Sequence, residues 1–184
     1  MYPWLRLMGA GFSLIGAPKV ELLSTTRIML RVWPNDLDLN LHVNNGRYLS
    51  LADIGRMHWF SLTGLLRVAR RQGAFPVVGN AIAKFRRDLK VFESVEIHTR
   101  LVGWDRRWGY IEHRFVRRGR VIGVVLIRGV FTGPHGAVDP ALLLAAVGHS
   151  GPSPDLPEWV SRFRDSSESL SQSLRDEERA GGIA

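Results

Sequence analysis

The sequence predicts an α+β domain in which a five-stranded antiparallel sheet wraps around one long central helix. Three observations carry that prediction. An apolar stripe passes through Tyr48, Ala52, Gly55, Trp59 and Leu62, at the spacing of one face of an α-helix. Residues 95–101 and 108–117 alternate apolar and polar side chains, the period of half-buried strands. The order of segments is one strand, a polar loop, the helix, then four strands. A helix with one apolar stripe must bury it, and a curled sheet is the surface at hand.

The elements follow in order. The first sixteen residues are apolar apart from Arg6, too short to span a bilayer comfortably and without a convincing signal-peptide cleavage site. They are expected to dock on the domain's own apolar surface, with weak contact to a membrane surface as the alternative. Residues 20–33 are strand-like, and Pro34 ends them because proline cannot donate to a ladder. Residues 35–46 are rich in Asn and Asp, which bond their own backbone and favour loops. The helix is expected over 47–66. Within it Gly55 lowers helix propensity but lets a sheet approach closely, and Gly64 and Gly73 punctuate its end. Strands are expected over 77–89, 95–101, 108–117 and 121–131, with Gly119 in the last turn. The fourth of these is apolar on both faces, as a covered interior strand is.

Beyond it, Pro152, Pro154 and Pro157 make a stiff linker. Trp159, Phe163 and Leu170 suit a docking helix, and 165–184 reads as a polar, mobile tail. The organisation is therefore an apolar N-terminal segment (1–19), one domain (20–148) and a Pro-rich linker with a C-terminal tail (149–184).

Composition narrows the chemistry. The 184-residue chain has no cysteine, which removes disulfides, zinc–thiolate sites and a cysteine nucleophile. Its six histidines are scattered, so no metal site is expected, and no cofactor. The net charge of +8 comes from arginine, with only Lys19, Lys84 and Lys90 as lysines. Such a surface attracts a phosphorylated ligand or a polyphosphate backbone. No basic face interleaved with aromatic residues, and no reading helix, supports nucleic acid as the partner. A cytoplasmic or membrane-peripheral placement is expected.

Asp36, Asp38, Asn40, His42, Asn44 and Asn45 crowd into ten residues between strand and helix. A loop entering a helix N-terminus presents free backbone N–H groups at the positive end of the helix dipole. Those groups can stabilise an oxyanion, and a carboxylate nearby can activate water or attack a carbonyl itself. The same residue types also cap helices and close turns. Spacing alone leaves both readings open.

The run Asp36-Leu37-Asp38-Leu39-Asn40-Leu41-His42-Val43-Asn44-Asn45-Gly46-Arg47-Tyr48, with Asp53 and Arg56 further along, resembles the signature of hotdog-fold thioesterases of the 4-hydroxybenzoyl-CoA type. The resemblance covers roughly residues 25–132. It extends towards the branch called thioesterase superfamily member six, through residues 86–89, 99–105 and 156–159. It implies that Asp38 is the catalytic carboxylate and that the Asn45 N–H polarises the thioester carbonyl. It implies that His42 and Asn44 shape the loop or orient substrate, and that Tyr48 packs or contacts substrate. Asp36 is expected to hold the loop. Asp53 pairs with Arg56 at i, i+3 and is the runner-up acid. Where the family has glycine, this chain has Leu41, which is expected to narrow the loop's conformations or the pocket mouth.

Lys84, Arg86 and Arg87 are candidates for the coenzyme A phosphates, with Arg106 and Arg107 expected at a nearby turn. The implied activity is hydrolysis of an acyl-CoA or acyl-carrier thioester, by a homodimer or higher homo-oligomer. The alternative is a non-catalytic acyl- or lipid-binding protein on the same fold, associated with a membrane.

Overall fold

A computed structural model describes Arg6 and residues 16–181 of the chain. The chain forms two compact units, Met1–Ser153 and Pro154–Ala184. In the first, β1 (Thr26–Arg31) leads through a loop into α1 (Asn45–Leu62) and a short α2 (Leu65–Arg71). Four strands follow: β2 (Phe75–Phe85), β3 (Ser94–Trp104), β4 (Gly109–Arg117) and β5 (Arg120–Gly133). A three-residue β6 (Gly136–Val138) and α3 (Pro140–Ala146) complete it. The long helix is shorter at its C-terminal end than its pattern suggested. Gly64, at φ 78°, breaks it from α2.

The sheet runs β1-β3-β4-β5-β2, antiparallel throughout, with β6 added beside β5. The five expected strands are all present, and β5 lies inside the sheet as its two apolar faces required. The sequence reading overlooked β6 and α3. The start of α3 is nevertheless marked, since Asp139 caps it by accepting the Ala141 N–H at 2.9 Å and Pro140 follows.

The helix lies against the sheet at Gly55. A Cβ there would come within 2.7 Å of Thr99 Oγ1 and 2.9 Å of Ile97 Cγ2. Only glycine permits that approach. Around it the core forms two clusters along α1. Tyr48, Leu51 and Ile54 pack with Ile97, Phe115 and Val125, and Trp59, Phe60 and Leu65 pack with Leu101, Ile111 and Leu143. The face of β4 turned to the helix carries Ile111, His113 and Phe115, and the register places His113 opposite Thr99.

The second unit holds α4 (Glu158–Arg179), 22 residues long. The expected mobile tail from 165 is thus helical as far as Arg179, and only its last three residues lie outside those described. Polar pairs one turn apart explain why: Arg162 donates to Glu158 at 2.5 Å and Gln172 to Asp176 at 2.8 Å. Of the apolar N-terminal segment, only Arg6 and residues from 16 onward are described, so its expected docking lies outside the described residues.

His113 is fully buried and bonds Thr99 Oγ1 through Nδ1 at 3.0 Å. Burial, and then the charge of Arg56, hold its pKa well below the usual histidine value. The ring therefore stays neutral in the fold, while in the unfolded chain it takes a proton below about pH 6.5. The unfolded state then binds more protons, so stability is present above that pH and is lost as pH falls through it. Urea unfolding should show stability declining between about pH 6.5 and 5, by at most about 1.4 kcal/mol per pH unit from this residue. The slope should be shallower in His113→Asn; an unchanged slope would assign the effect elsewhere.

Candidate active site

The chain leaves β1 and turns through Pro34–Asp36, a single 3-10 turn. Asp36 is buried, and donors surround its carboxylate. Oδ1 accepts from Arg6 Nη1 at 3.0 Å and faces Arg47 Nε at 3.1 Å. Oδ2 accepts from Arg6 Nη2 at 2.5 Å and from the Trp33 N–H at 2.8 Å. Four donors occupy about four lone-pair sites. The Asp36 carbonyl also accepts the Asn44 N–H at 2.9 Å. A buried carboxylate must be paired in this way, and the pairing fastens both ends of the loop to one point.

Between those ends the loop closes on itself. Leu37 bridges Val43, and the Asp38 N–H donates to the His42 carbonyl at 2.9 Å. His42 bridges Lys90, and the Val43 N–H donates to the Leu89 carbonyl at 2.9 Å, which docks the loop on the stretch after β2. The turn at the tip places Leu41 at φ 58°. Glycine adopts that conformation freely; for other residues it costs about 1–2 kcal/mol. Leu41 points outward and does not line the cleft described next. At this position the leucine shows as backbone strain.

An open cleft of about 390 Å³ brings together Asp38, His42, Asn45, Tyr48, Arg86 and Arg87, with Asn40, Phe85 and Asp88 beside them. The one hydrogen bond to the Asp38 carboxylate among the described residues is from the Asn40 N–H to Oδ1, at 2.8 Å. Oδ2 keeps its lone pairs for another partner. Asn45 is the first residue of α1, and among the described residues its N–H has no acceptor. Asn44 instead caps the helix, its Oδ1 accepting the Gly46 N–H at 2.9 Å. His42 faces Asp88 at 3.6 Å.

Tyr48 packs edge-on against Phe85 and Phe115, with centroids 5.0 and 4.8 Å away. A Cβ on Gly123 would lie 3.2 Å from its ring, so that glycine makes room for it. Burial pushes the Tyr48 phenol up to about 12, against the opposing charge of Arg117, so its hydroxyl keeps its proton at neutral pH.

The basic candidates divide. Arg86 and Arg87 reach the cleft, their N–H groups both donating to the Ile122 carbonyl at 2.9 and 3.1 Å. Lys84 does not, because alternation along β2 turns it to the opposite face from Phe85, which lines the cleft. Arg106 and Arg107 are at the wrong end: they occupy the β3–β4 turn, beyond the Trp104↔Gly109 pair. The β4–β5 turn lies at the cleft's end instead. There Arg87, Arg117, Arg118 and Arg120 line a neighbouring hollow with Ile122, and the sequence reading missed the last three arginines. Counting strand reversals from the helix would have found them.

Asp53 lies outside the cleft lining and pairs with Arg56 Nη2 at 2.6 Å. Arg56 also lines a small apolar cavity, about 50 Å³, at the far half of α1 among Trp59, Phe60, Leu101, Ile111 and Leu143. Among the described residues no cluster of His, Asp and Glu has the makings of a metal site, and no helix is long and apolar enough to cross a membrane.

Comparison with known proteins agrees with this architecture. The sequence pattern of the thioesterase-like superfamily matches residues 32–163. Protein THEM6 of Danio rerio is 34% identical over 180 residues, covering 95% of this chain and 87% of the relative. Protein THEM6 of Xenopus laevis is 34% identical over 148 residues, 79% of this chain and 70% of the relative. The structure of 4-hydroxybenzoyl CoA thioesterase from Pseudomonas sp. strain CBS-3 superposes with a TM-score of 0.59 at 15% identity. It covers 67% of this chain and 98% of that one, a likeness of fold alone.

The strain at Leu41 has a measurable consequence. Leu41→Gly should relieve about 1–2 kcal/mol of left-handed strain and give back about 0.5–1 kcal/mol in unfolded-state entropy. The expected net is a rise of a few degrees in thermal midpoint. A fall in the midpoint would mean that the leucine side chain makes a compensating contact.

Proposed function

Because this chain belongs to the thioesterase-like superfamily, with the hotdog fold, we propose that it hydrolyses acyl thioesters in the cleft between the loop and α1. The observation that carries this reading is the contrast between two carboxylates. Asp36 has its acceptor sites filled, while Asp38 stands in an open cleft with Oδ2 free of intramolecular donors among the described residues. A base needs a lone pair to take a proton, and Asp38 has one.

In this reading the thioester carbonyl oxygen meets the Asn45 N–H at the positive end of α1. Asp38 takes a proton from water as the water oxygen bonds to the carbonyl carbon, or its carboxylate attacks that carbon first. In the second case the carbon–sulfur bond breaks to release the thiolate, and water then opens the anhydride, giving the free acid and, through the proton it sheds, the thiol. In the water-first route the carbon–sulfur bond then breaks, the electron pair leaves on sulfur, and the Asp38 carboxyl returns the proton to the thiolate. His42 and Tyr48 border the reacting centre. Arg86 and Arg87, with the arginines of the β4–β5 turn, attract the phosphates of a coenzyme A or carrier arm.

Asp38→Asn should lower kcat/KM on a panel of acyl-CoAs by on the order of 10²–10⁴-fold, with an unchanged thermal midpoint. Full turnover in that variant would remove Asp38 from the mechanism. Specific binding of acyl-CoAs by the wild type without turnover would favour the non-catalytic alternative.

A homodimer belongs to the same proposal. β2 is an eleven-residue edge strand bonded along one side to β5, and Phe75, Val77, Val78, Ile82 and Phe85 are exposed on it. A long apolar edge of this kind invites pairing, and a second copy of β2 satisfies it. Light scattering should give twice the chain mass for the wild type. Val78→Lys with Ile82→Lys should shift it towards monomer; a monomeric wild type would overturn the assembly and leave the catalytic reading standing.

A further inference from the structure

Among the described residues three that are not glycine hold a left-handed backbone: Leu41 at φ 58°, Phe92 at 62° and Arg118 at 50°. Two of them are large and apolar, and both are exposed, Leu41 at 71% and Phe92 at 51%. Each carries backbone strain without the burial that usually offsets it. Leu39, two residues before Leu41, is wholly exposed, and Trp33 is half exposed.

These side chains gather at one end of the sheet. Leu39 and Leu41 form the tip of the loop, which His42 and Val43 fasten to residues 89–90. Phe92 follows directly, its N–H donating to the Val32 carbonyl at 2.9 Å. Trp33 stands edge-on to Phe92 at 6.2 Å, and the Arg31 guanidinium lies 5.6 Å from the same ring. Beside the tip lie Arg31, whose Nε donates to the Phe92 carbonyl at 3.2 Å, and the exposed Lys90, 3.8 Å from Asp88, on a chain of net charge +8. Two acids at this end have cationic partners, Asp88 facing His42 and Lys90 and Glu93 pairing with Arg117, while Asp38 lies in the cleft with one backbone donor. The Arg6 guanidinium, within an otherwise apolar run of sequence, is bonded to Asp36 at the base of this loop.

We propose that this end of the molecule docks on an anionic lipid bilayer. Leu39, Leu41 and Phe92 enter the boundary between headgroups and acyl chains, Trp33 lies at headgroup level, and Arg31 and Lys90 meet lipid phosphates. A protruding apolar tip suits a fluid that yields around it, and the cations supply the preference for negative headgroups. The cleft beneath the loop then opens beside the membrane surface. The proposal rests on exposed side chains and not on turnover, so it stands or falls separately from the thioesterase reading.

The test is flotation of the full chain with vesicles of phosphatidylcholine, with and without phosphatidylserine. The wild type should float with the serine-containing vesicles, and less at high salt. Leu39→Ser with Phe92→Ser should lower the bound fraction about ten-fold, while its melting midpoint, its mass in solution and its hydrolysis of a soluble short-chain acyl-CoA match the wild type. Arg31→Glu with Lys90→Glu should remove the preference for phosphatidylserine. Absence of flotation by the wild type would overturn the proposal. So would undiminished flotation of the Leu39/Phe92 variant, which would assign binding to other parts of the chain. A change of that variant from dimer to monomer without vesicles would show that a second copy covers the patch.

Discussion

Burying the Asp36 carboxylate sets the condition that the rest of the site satisfies. Leaving such a group unpaired costs on the order of 3–5 kcal/mol, so the chain must bring donors to it. The donors come from Arg6, Trp33 and Arg47, one before β1, one at its exit and one in the first turn of α1. With the Asn44 N–H on the Asp36 carbonyl, this joins strand, loop and helix at one point. The helix start, and with it the Asn45 N–H, which has no acceptor among the described residues, is thereby held beside Asp38. The position of the helix start follows from electrostatics a few residues away.

A second constraint acts at Gly55, where α1 comes too close to Thr99 and Ile97 for any Cβ. The close approach seats the helix across the concave face, and the helix carries the chain from β1 at one edge to β2 at the other. The hairpins β3–β4 and β4–β5 then fill the interior, and successive turns fall at opposite ends of the sheet. That alternation decides which arginines can assist the cleft. Arg118 and Arg120 lie at its end of the sheet, while Arg106 and Arg107 lie at the other.

The sequence revealed what depends on local period and punctuation. The stripe through Tyr48, Gly55 and Trp59 identified the helix, Gly55 its contact with the sheet, and Gly64 its break. Alternation located β3 and β4 within a few residues. What stayed hidden depends on contacts distant in sequence. Nothing near Arg6 announces a bond thirty residues away. The face that Lys84 takes depends on its register with Val124, and a residue's exposure at Leu39 is a property of the finished surface. The tail was misjudged because its polar composition outweighed pairs such as Glu158 with Arg162, which favour helix.

Two aspartates separated by one residue differ in how their lone pairs are occupied. One carboxylate cannot both anchor a buried junction and exchange protons with substrate, since protonation at an anchor would release the guanidinium groups it holds. Asp36 has the four donors that fix an anchor. Asp38 has, among the described residues, a single backbone donor, and an open cleft before it. That donor, the Asn40 N–H, orients the carboxylate while leaving Oδ2 available. The loop thus separates an anchored carboxylate from an accessible one by two residues. The 3-10 turn ends at Asp36, Leu37 packs back against the core and bridges Val43, and Asp38 follows at the edge of the cleft.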